Sequence, residues 1–412
     1  MSKSLLYLAS TWPEPASSAA GTRSLQRLDL FTELGWKIRL MSAASPRPYS
    51  ARLPDSVATG TLHLNDSRMD AVFKELQPDL VLFDRFMTEE QYGWRISRCC
   101  PQALRILDTV DLHSLREIRR KALLQERERS PSDWFCNIAL REIASIYRSD
   151  LTLLLSDAEV EILSGELAVP ASLLFRLPFL LLDSELHLPA SLPGFADRRD
   201  FAHIGNFRHP PNADAVHVLK STLWPKLRAA CPGTHLHLYG ADLTPALQSL
   251  HIPEHGFHIC GRADDAGEVM RRARVCLAPL RFGAGLKGKL LDAMRAGTPS
   301  VTTPIGAEGM QGPFPWPGAV ESDPEAWVRA AAELYQQAPA WQSAQQKIPA
   351  LLSGRFARSA FSGPLEKKIA SLLSESARLT PERFTGALLR HHQHRSTEYM
   401  SRWIEAKNRR PD

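Results

Sequence analysis

The stretch 281-RFGAGLKGKLLDAMRAGTP-299 decides how this chain is to be read. VCLAPL before it predicts a strand and KLLDAMRA after it predicts a helix, so the glycines lie on a strand-to-helix loop. Small residues there let backbone N–H groups approach a phosphate, and the helix N-terminus adds partial positive charge. Lys287 and Lys289 add two full charges at the same mouth, where cations are unfavourable for the helix itself. That arrangement makes sense if an anion binds between them. Gly283-x-Gly285-x-x-Gly288 also has the glycine spacing of a dinucleotide-binding loop. Such a loop should follow the first strand of a domain, whereas this one lies deep in the chain with lysines among its glycines. Asp292, one turn into the helix, could accept two hydrogen bonds from a ribose diol.

Outward from this loop, strand-like and helix-like segments alternate. In the first half SLLYLAS, KIRLMSA, LVLFD, ALRILDTVD and LTLLL read as buried strands between amphipathic helices. The proline-punctuated segment 181–199 breaks the rhythm, which restarts at FAHIGNF and runs through HLHLYG, FHICGR, RVCLAPL and PSVTTPIG; after about residue 320 only helices follow. Alternation of this kind implies right-handed crossovers and parallel sheets. The expected fold class is α/β, with two Rossmann-like doubly wound domains facing a cleft. The expected boundaries are 1–180 for the first domain, 181–199 for a linker, 200–360 for the second domain and 361–412 for C-terminal helices with a basic tail. Ligands of such sheets bind beyond the carboxyl ends of the strands.

The wording HIGNFRHPPNADAV, GRADD and APLRFGAGLKGKLLDAMRAGTPSVTTPIGAEGM resembles the C-terminal half of retaining glycosyltransferases with the GT-B fold, specifically glycosyltransferase family 4. The resemblance covers roughly residues 200–310 and extends loosely to AAGTRSLQRL and RSDLTLLLSDAEVEIL in the first half. It implies that the second domain holds a nucleotide-diphosphate sugar as co-substrate, with no further cofactor, and the first domain an acceptor, a glycan or lipid-linked sugar. It also implies C-terminal helices that cross back to the first domain. The donor-binding residues it points to are Gly21, Thr22 and Arg23 in a loop after the first strand, Asn206 and Arg208, Gly285, Lys287 and Lys289, Asp292 at the ribose, and Glu308 at a sugar hydroxyl. His113, with Asp111 beside it in DTVDLHSLR, is the catalytic candidate at the reacting sugar. The family's paired glutamates across this loop are represented by Asp292 at the second position and by Ala284 at the first, and its usual arginine and lysine fall on Asn206 and Pro211. Arg208 and the lysines of GLKGK could supply that charge. Nucleotide-sugar 2-epimerases share the fold but need acid/base carboxylates around the sugar, which Ala284 disfavours; a non-catalytic binder of this fold is the other alternative.

No Asp-x-Asp pair occurs, so no metal on the diphosphate is expected. Six scattered cysteines, with only Cys99 and Cys100 adjacent, and His391, His392 and His394 without ligand-spaced partners predict a reduced protein without structural zinc. MSKSLLYLAS reads as a first strand followed at once by TWPEP, and no apolar run approaches the roughly 20 residues of a membrane span. The expected location is cytoplasmic, with peripheral contact at the inner face of the membrane as the variant. The net charge of +5 is modest, but residues 381–412 hold seven Arg/Lys against four Asp/Glu. Such a tail could touch anionic lipid or nucleic acid, the latter not expected, or remain solvated. Arg116, Arg119 and Arg120 could likewise form an acceptor-facing or membrane-facing surface, or a solvated helix face.

Overall fold

The apolar runs of the first half become strands covered on both faces. The computed structural model describes residues 3–374 and 380–408; His392 and the last residues of the tail lie outside what is described. Among the described residues the first sheet comprises β1 (Ser4–Ala9), β2 (Lys37–Ser42), β3 (Val57–Thr61), β4 (Leu80–Asp84), β5 (Leu104–Asp108), β6 (Leu151–Leu154) and β7 (Leu174–Arg176). All pair in parallel in the order β3-β2-β1-β4-β5-β6-β7. Alternate residues of β1 enter opposite cores: Leu6 and Leu8 pack with Val81, Phe83 and Leu107, while Leu5 and Tyr7 pack with Leu28, Phe31 and Leu82. Burial of a strand on both faces is what a parallel sheet with helices on either side requires.

The second sheet repeats the plan with β8 (Arg199–Ile204), β9 (Leu236–Tyr239), β10 (Phe257–Gly261), β11 (Ala273–Ala278), β12 (Ser300–Thr302) and β13 (Gly318–Val320), in the order β10-β9-β8-β11-β12-β13. In each sheet the order reverses beside the first strand, between β1 and β4 and between β8 and β11. These switch points are where an open α/β sheet leaves a crevice for ligand.

The chain then returns. Leu365, Ile369 and Leu372 of the Ser359–Leu373 helix share one face and join the core of the first sheet. Outward and return crossings are stitched together: Leu181 N–H donates to Phe356 O (2.8 Å) and Arg358 N–H to Leu181 O (2.9 Å). The Pro381–Asn408 helix also lies on the first domain, where Arg390 donates to Arg148 O at 2.7 Å and Arg98 pairs with Glu398 at 3.0 Å.

Three short strands escape the sequence pattern. VATGT of β3 is largely exposed at the sheet edge, and β7 and β13 have three residues each. Their pairing comes from the neighbouring strand, not from alternation of their own. The expected loop at Gly21-Thr22-Arg23 is corrected as well, because a helix already begins at Ala19, with Ser18 Oγ accepting Gly21 N–H at 3.1 Å. A serine N-cap that satisfies an otherwise orphaned amide moves the helix start forward.

Candidate functional site

Between the carboxyl ends of the two sheets lies a cleft of about 1060 Å³ lined from both domains. Two helices point their N-termini into it. One is Ala19–Glu33, after β1; the other is Gly288–Arg295, after β11. They meet so closely that a Cβ placed on Gly288 would sit 2.5 Å from Ala19 Cβ. Glycine is therefore required at 288 by close approach. Two positive dipole ends face one another across this contact.

The two lysines stand at the same point. Lys287 caps the second helix, and its ammonium donates to Ala284 O at 3.2 Å and Gly285 O at 2.5 Å. Lys289 donates to Asn212 Oδ1 at 2.7 Å and lies 3.4 Å from His203 Nε2. Both are buried, and neither forms an ion pair among the described residues. Burial pushes Lys287 down to about 8 and Lys289 down to about 7. Asp292 lies on the cleft wall, and burial pushes its carboxyl up to about 6.

On the first-domain side, His113 opens the His113–Leu124 helix with its main-chain N–H donated to Glu142 Oε1 at 3.0 Å. Its ring lines the cleft, 3.2 Å from Asp111 Oδ1 through Nε2 and edge-on to Phe86 at 5.7 Å between centroids. Asp111 also takes the Arg116 guanidinium. Burial alone would raise its pKa, but Arg116 and His113 hold the carboxyl well below the usual carboxylate range. Val110 beside it has φ 63°, and Arg85 at the end of the neighbouring strand has φ 70°. A β-branched residue at positive φ is a true outlier, and both residues line the cleft.

Of the other expected site residues, Gly21, Gly285 and Glu308 lie outside the cleft lining. Gly21 packs against the Glu14 backbone, where a Cβ would come within 2.3 Å, so its lack of a side chain serves packing. Thr22 remains on the cleft wall. Arg23 reaches the cleft wall but is buried, donating to Leu177 O, to Pro178 O (3.0 Å) and to Asp108 Oδ1 (3.0 Å). Its two terminal nitrogens are used in joining β5 to the chain after β7. Gly285, at φ 62°, turns toward the first domain: its N–H donates to Glu159 Oε1 at 3.0 Å and is not free for a phosphate. Glu308 is clamped at 2.6 Å through both oxygens by Arg119, which also donates to Gly283 O at 2.8 Å. That pair lies outside the cleft lining, and it makes Arg119 an interdomain clasp and not a solvated residue. Asn206 and Arg208 do line the cleft. The Asn206 amide is tied to Asp242 at 3.0 Å and to Arg208 N–H, while the exposed Arg208 guanidinium lies 3.8 Å from Asp242 at the rim.

One cleft residue had no signal in the sequence. His209, in GNFRHPP, lines the cleft together with Asp111, Arg116, Lys289 and Lys287, whose charges act on it. Among the described residues no group of three or more His, Cys, Asp or Glu side chains is arranged to hold a metal ion.

The clasp assignment predicts that Glu308→Gln lowers the melting temperature by a few degrees, since a charge-assisted pair is worth on the order of 1.5–3 kcal/mol. Affinity for a nucleotide-diphosphate sugar is expected to stay within about threefold of wild type. Calorimetry on the folded variant showing a tenfold loss or more would return Glu308 to the ligand.

Comparison with known proteins agrees with this geometry. Residues 198–337 match the family described as glycosyl transferases group 1. Over its length the chain has the fold of sucrose-phosphate synthase from Thermosynechococcus elongatus, with TM-score 0.68 at 14% identity, covering 90% of this chain and 99% of that one. It is similar also to Anabaena HepE in complex with UDP and glucose, with TM-score 0.62 at 13% identity over 90% and 100% of the two chains. WaaG, a glycosyltransferase involved in lipopolysaccharide biosynthesis, aligns with TM-score 0.59 at 12% identity over 89% and 99%. No curated protein matches in sequence. The architecture is thus GT-B, two parallel-sheet domains with C-terminal helices returned to the first.

Proposed function

We propose that this protein transfers a sugar from a nucleotide-diphosphate sugar to an acceptor, with retention of anomeric configuration. The observation that carries the reading is the meeting of two helix N-termini at Ala19 and Gly288, with two buried lysines that form no ion pair among the described residues. Buried cations at positive dipole ends oppose folding unless an anion occupies the space between them. A diphosphate fits that space, and the HepE complexes with UDP and UDP-glucose support the choice of anion.

In this reading Lys287, Lys289 and Arg208 bind the diphosphate and stabilise the charge that develops on it as the bond to the sugar breaks. Asp292, with no hydrogen-bond partner for its carboxylate among the described residues, takes the ribose. His113, oriented by Asp111, lies toward the first domain and touches the sugar at the reacting centre. The acceptor, a glycan or lipid-linked sugar, enters from that side and attacks on the face the diphosphate leaves. Closure of the domains excludes water, whose attack would merely hydrolyse the donor.

Among the described residues no helix is long and apolar enough to cross a membrane. Phe384, Tyr399 and Trp403 are exposed on a C-terminal helix that also carries Arg395 and Lys407, which supports peripheral contact with an anionic cytoplasmic membrane face.

The test is a thermal-shift screen of nucleotide-sugars followed by product analysis of the one that binds. Absence of any stabilising nucleotide-sugar would overturn the reading. Turnover is expected to survive EDTA, because the charge on the leaving group is met by lysines and helix ends. Activity lost in EDTA and restored only by Mg²⁺ or Mn²⁺ would contradict that.

A further inference from the structure

We propose that His209 is a proton-coupled ligand of the donor: its ring takes up one proton from solvent as the diphosphate enters, and the resulting imidazolium becomes part of the anion site. The inference rests on the reading above and adds to it a residue and a linked proton.

The placement comes first. His209 precedes the Pro210–Val218 helix, and its half-buried ring lines the cleft from the second domain. Lining the same cleft are Asp111 from the loop after β5, Arg116 from the His113–Leu124 helix, and Lys287 and Lys289 from the start of the Gly288–Arg295 helix, and the charge of each acts on the ring. Among the described residues its ring has no hydrogen-bond or ion-pair partner. Asp111 cannot act as that partner freely, since its oxygens are engaged by Arg116 and His113.

The charge balance follows from this placement. Burial, with Arg116 and the two lysines reinforcing it against Asp111, pushes the ring down to about 4, so in the empty cleft it is neutral at physiological pH. A third fixed cation beside Lys287 and Lys289 would add repulsion to an already unfavourable cluster. A diphosphate diester brings two negative charges to the same place and reverses the sign of the field on the ring. Histidine is the side chain that can change charge under such a reversal near neutral pH. His209 thus adds positive charge only when the anion is there to receive it.

The experiment is isothermal titration calorimetry at pH 6.0 in two buffers of different ionisation enthalpy, on wild type and His209→Gln. The probe is whichever of UDP-, GDP- and ADP-hexoses binds. These diesters have no ionisation near pH 6, and the lysines, at about 8 and about 7, are already largely charged there. Asp292, at about 6, contributes to both proteins alike, so their difference isolates His209. The expected difference is close to one proton. The wild-type association constant should also fall about tenfold more per pH unit than that of the variant between pH 5 and pH 6.5, as uptake of one proton requires. A difference below about 0.3 proton, with parallel pH dependences, overturns the assignment of His209 while leaving the donor site standing. Failure of every nucleotide-sugar to bind overturns both.

Discussion

Lys289→Met is expected to weaken nucleotide-diphosphate-sugar binding by roughly 10- to 150-fold, and to raise the melting temperature of the ligand-free protein. The first effect follows from losing a charge-assisted contact worth on the order of 1.5–3 kcal/mol. The second follows from the lysine's depressed pKa. With the folded-state value at about 7 and the ordinary value near 10.5, the unfolded chain binds more protons across that window. Stability therefore rises with pH through it, and below about pH 7 the buried charge opposes folding in full. Methionine retains the apolar stem and removes that opposition. Lys287→Met is expected to follow the same direction with a window beginning at about 8. Donor affinity of the wild type should fall as pH rises through 7 to 9, because the site binds anions only with its ammonium groups charged. Calorimetry and thermal unfolding on one preparation read both effects. Unchanged affinity, or a melting temperature lowered by several degrees, would remove the lysines from the anion site and make them ordinary structural residues.

His113→Ala is expected to lower kcat by about 100-fold while leaving donor affinity within a few-fold, since a contact made mainly in the transition state reduces turnover more than binding. The substitution is well suited to the question. The helix that His113 opens is held by its main-chain N–H on Glu142, with Ser114 N–H on the same carboxylate at 2.8 Å, and both bonds survive loss of the ring. Fold and ring chemistry are thereby separable. If the ring is only a packing element against Phe86, its loss would lower the melting temperature and leave the specific activity of folded protein unchanged. Full kcat in a folded variant would take His113 out of the active site.

The parts of the fold set by local chemistry were legible in the sequence. Buried apolar runs gave the central strands of both sheets, and GAGLKGK gave the strand-to-helix loop with both cations in their observed places. What was misread depended on partners far away in the chain. Glu308 looked available for a sugar hydroxyl because Arg119, 189 residues earlier, cannot be seen in a local pattern to reach it. Gly285 looked like a phosphate donor because Glu159 lies 126 residues away. Gly21-Thr22-Arg23 looked like a loop because it fits the Gly-rich loop that the resemblance implies after the first strand, while the Ser18 cap and the burial of Arg23 on Asp108 hold it in a helix. His209 carried no signal, since one histidine beside two prolines has no periodicity to place it. Edge strands such as β3 have little pattern because one side of each lacks a strand to bury it.

The contact between Ala19 and Gly288 also bears on how a catalytic cycle would end. Once the sugar has departed, the terminal phosphate left behind is a monoester and carries additional negative charge. In the proposed reading, a pocket that joins two helix starts around buried ammonium groups is expected to hold that spent carrier more firmly than the incoming donor. On the same reading, separation of the two domains, which would part residue 19 from residue 288, is the step expected to discharge it. The free nucleoside diphosphate is accordingly expected to compete strongly with the donor, and an enzyme in a coupled system to run at the pace at which that by-product is cleared.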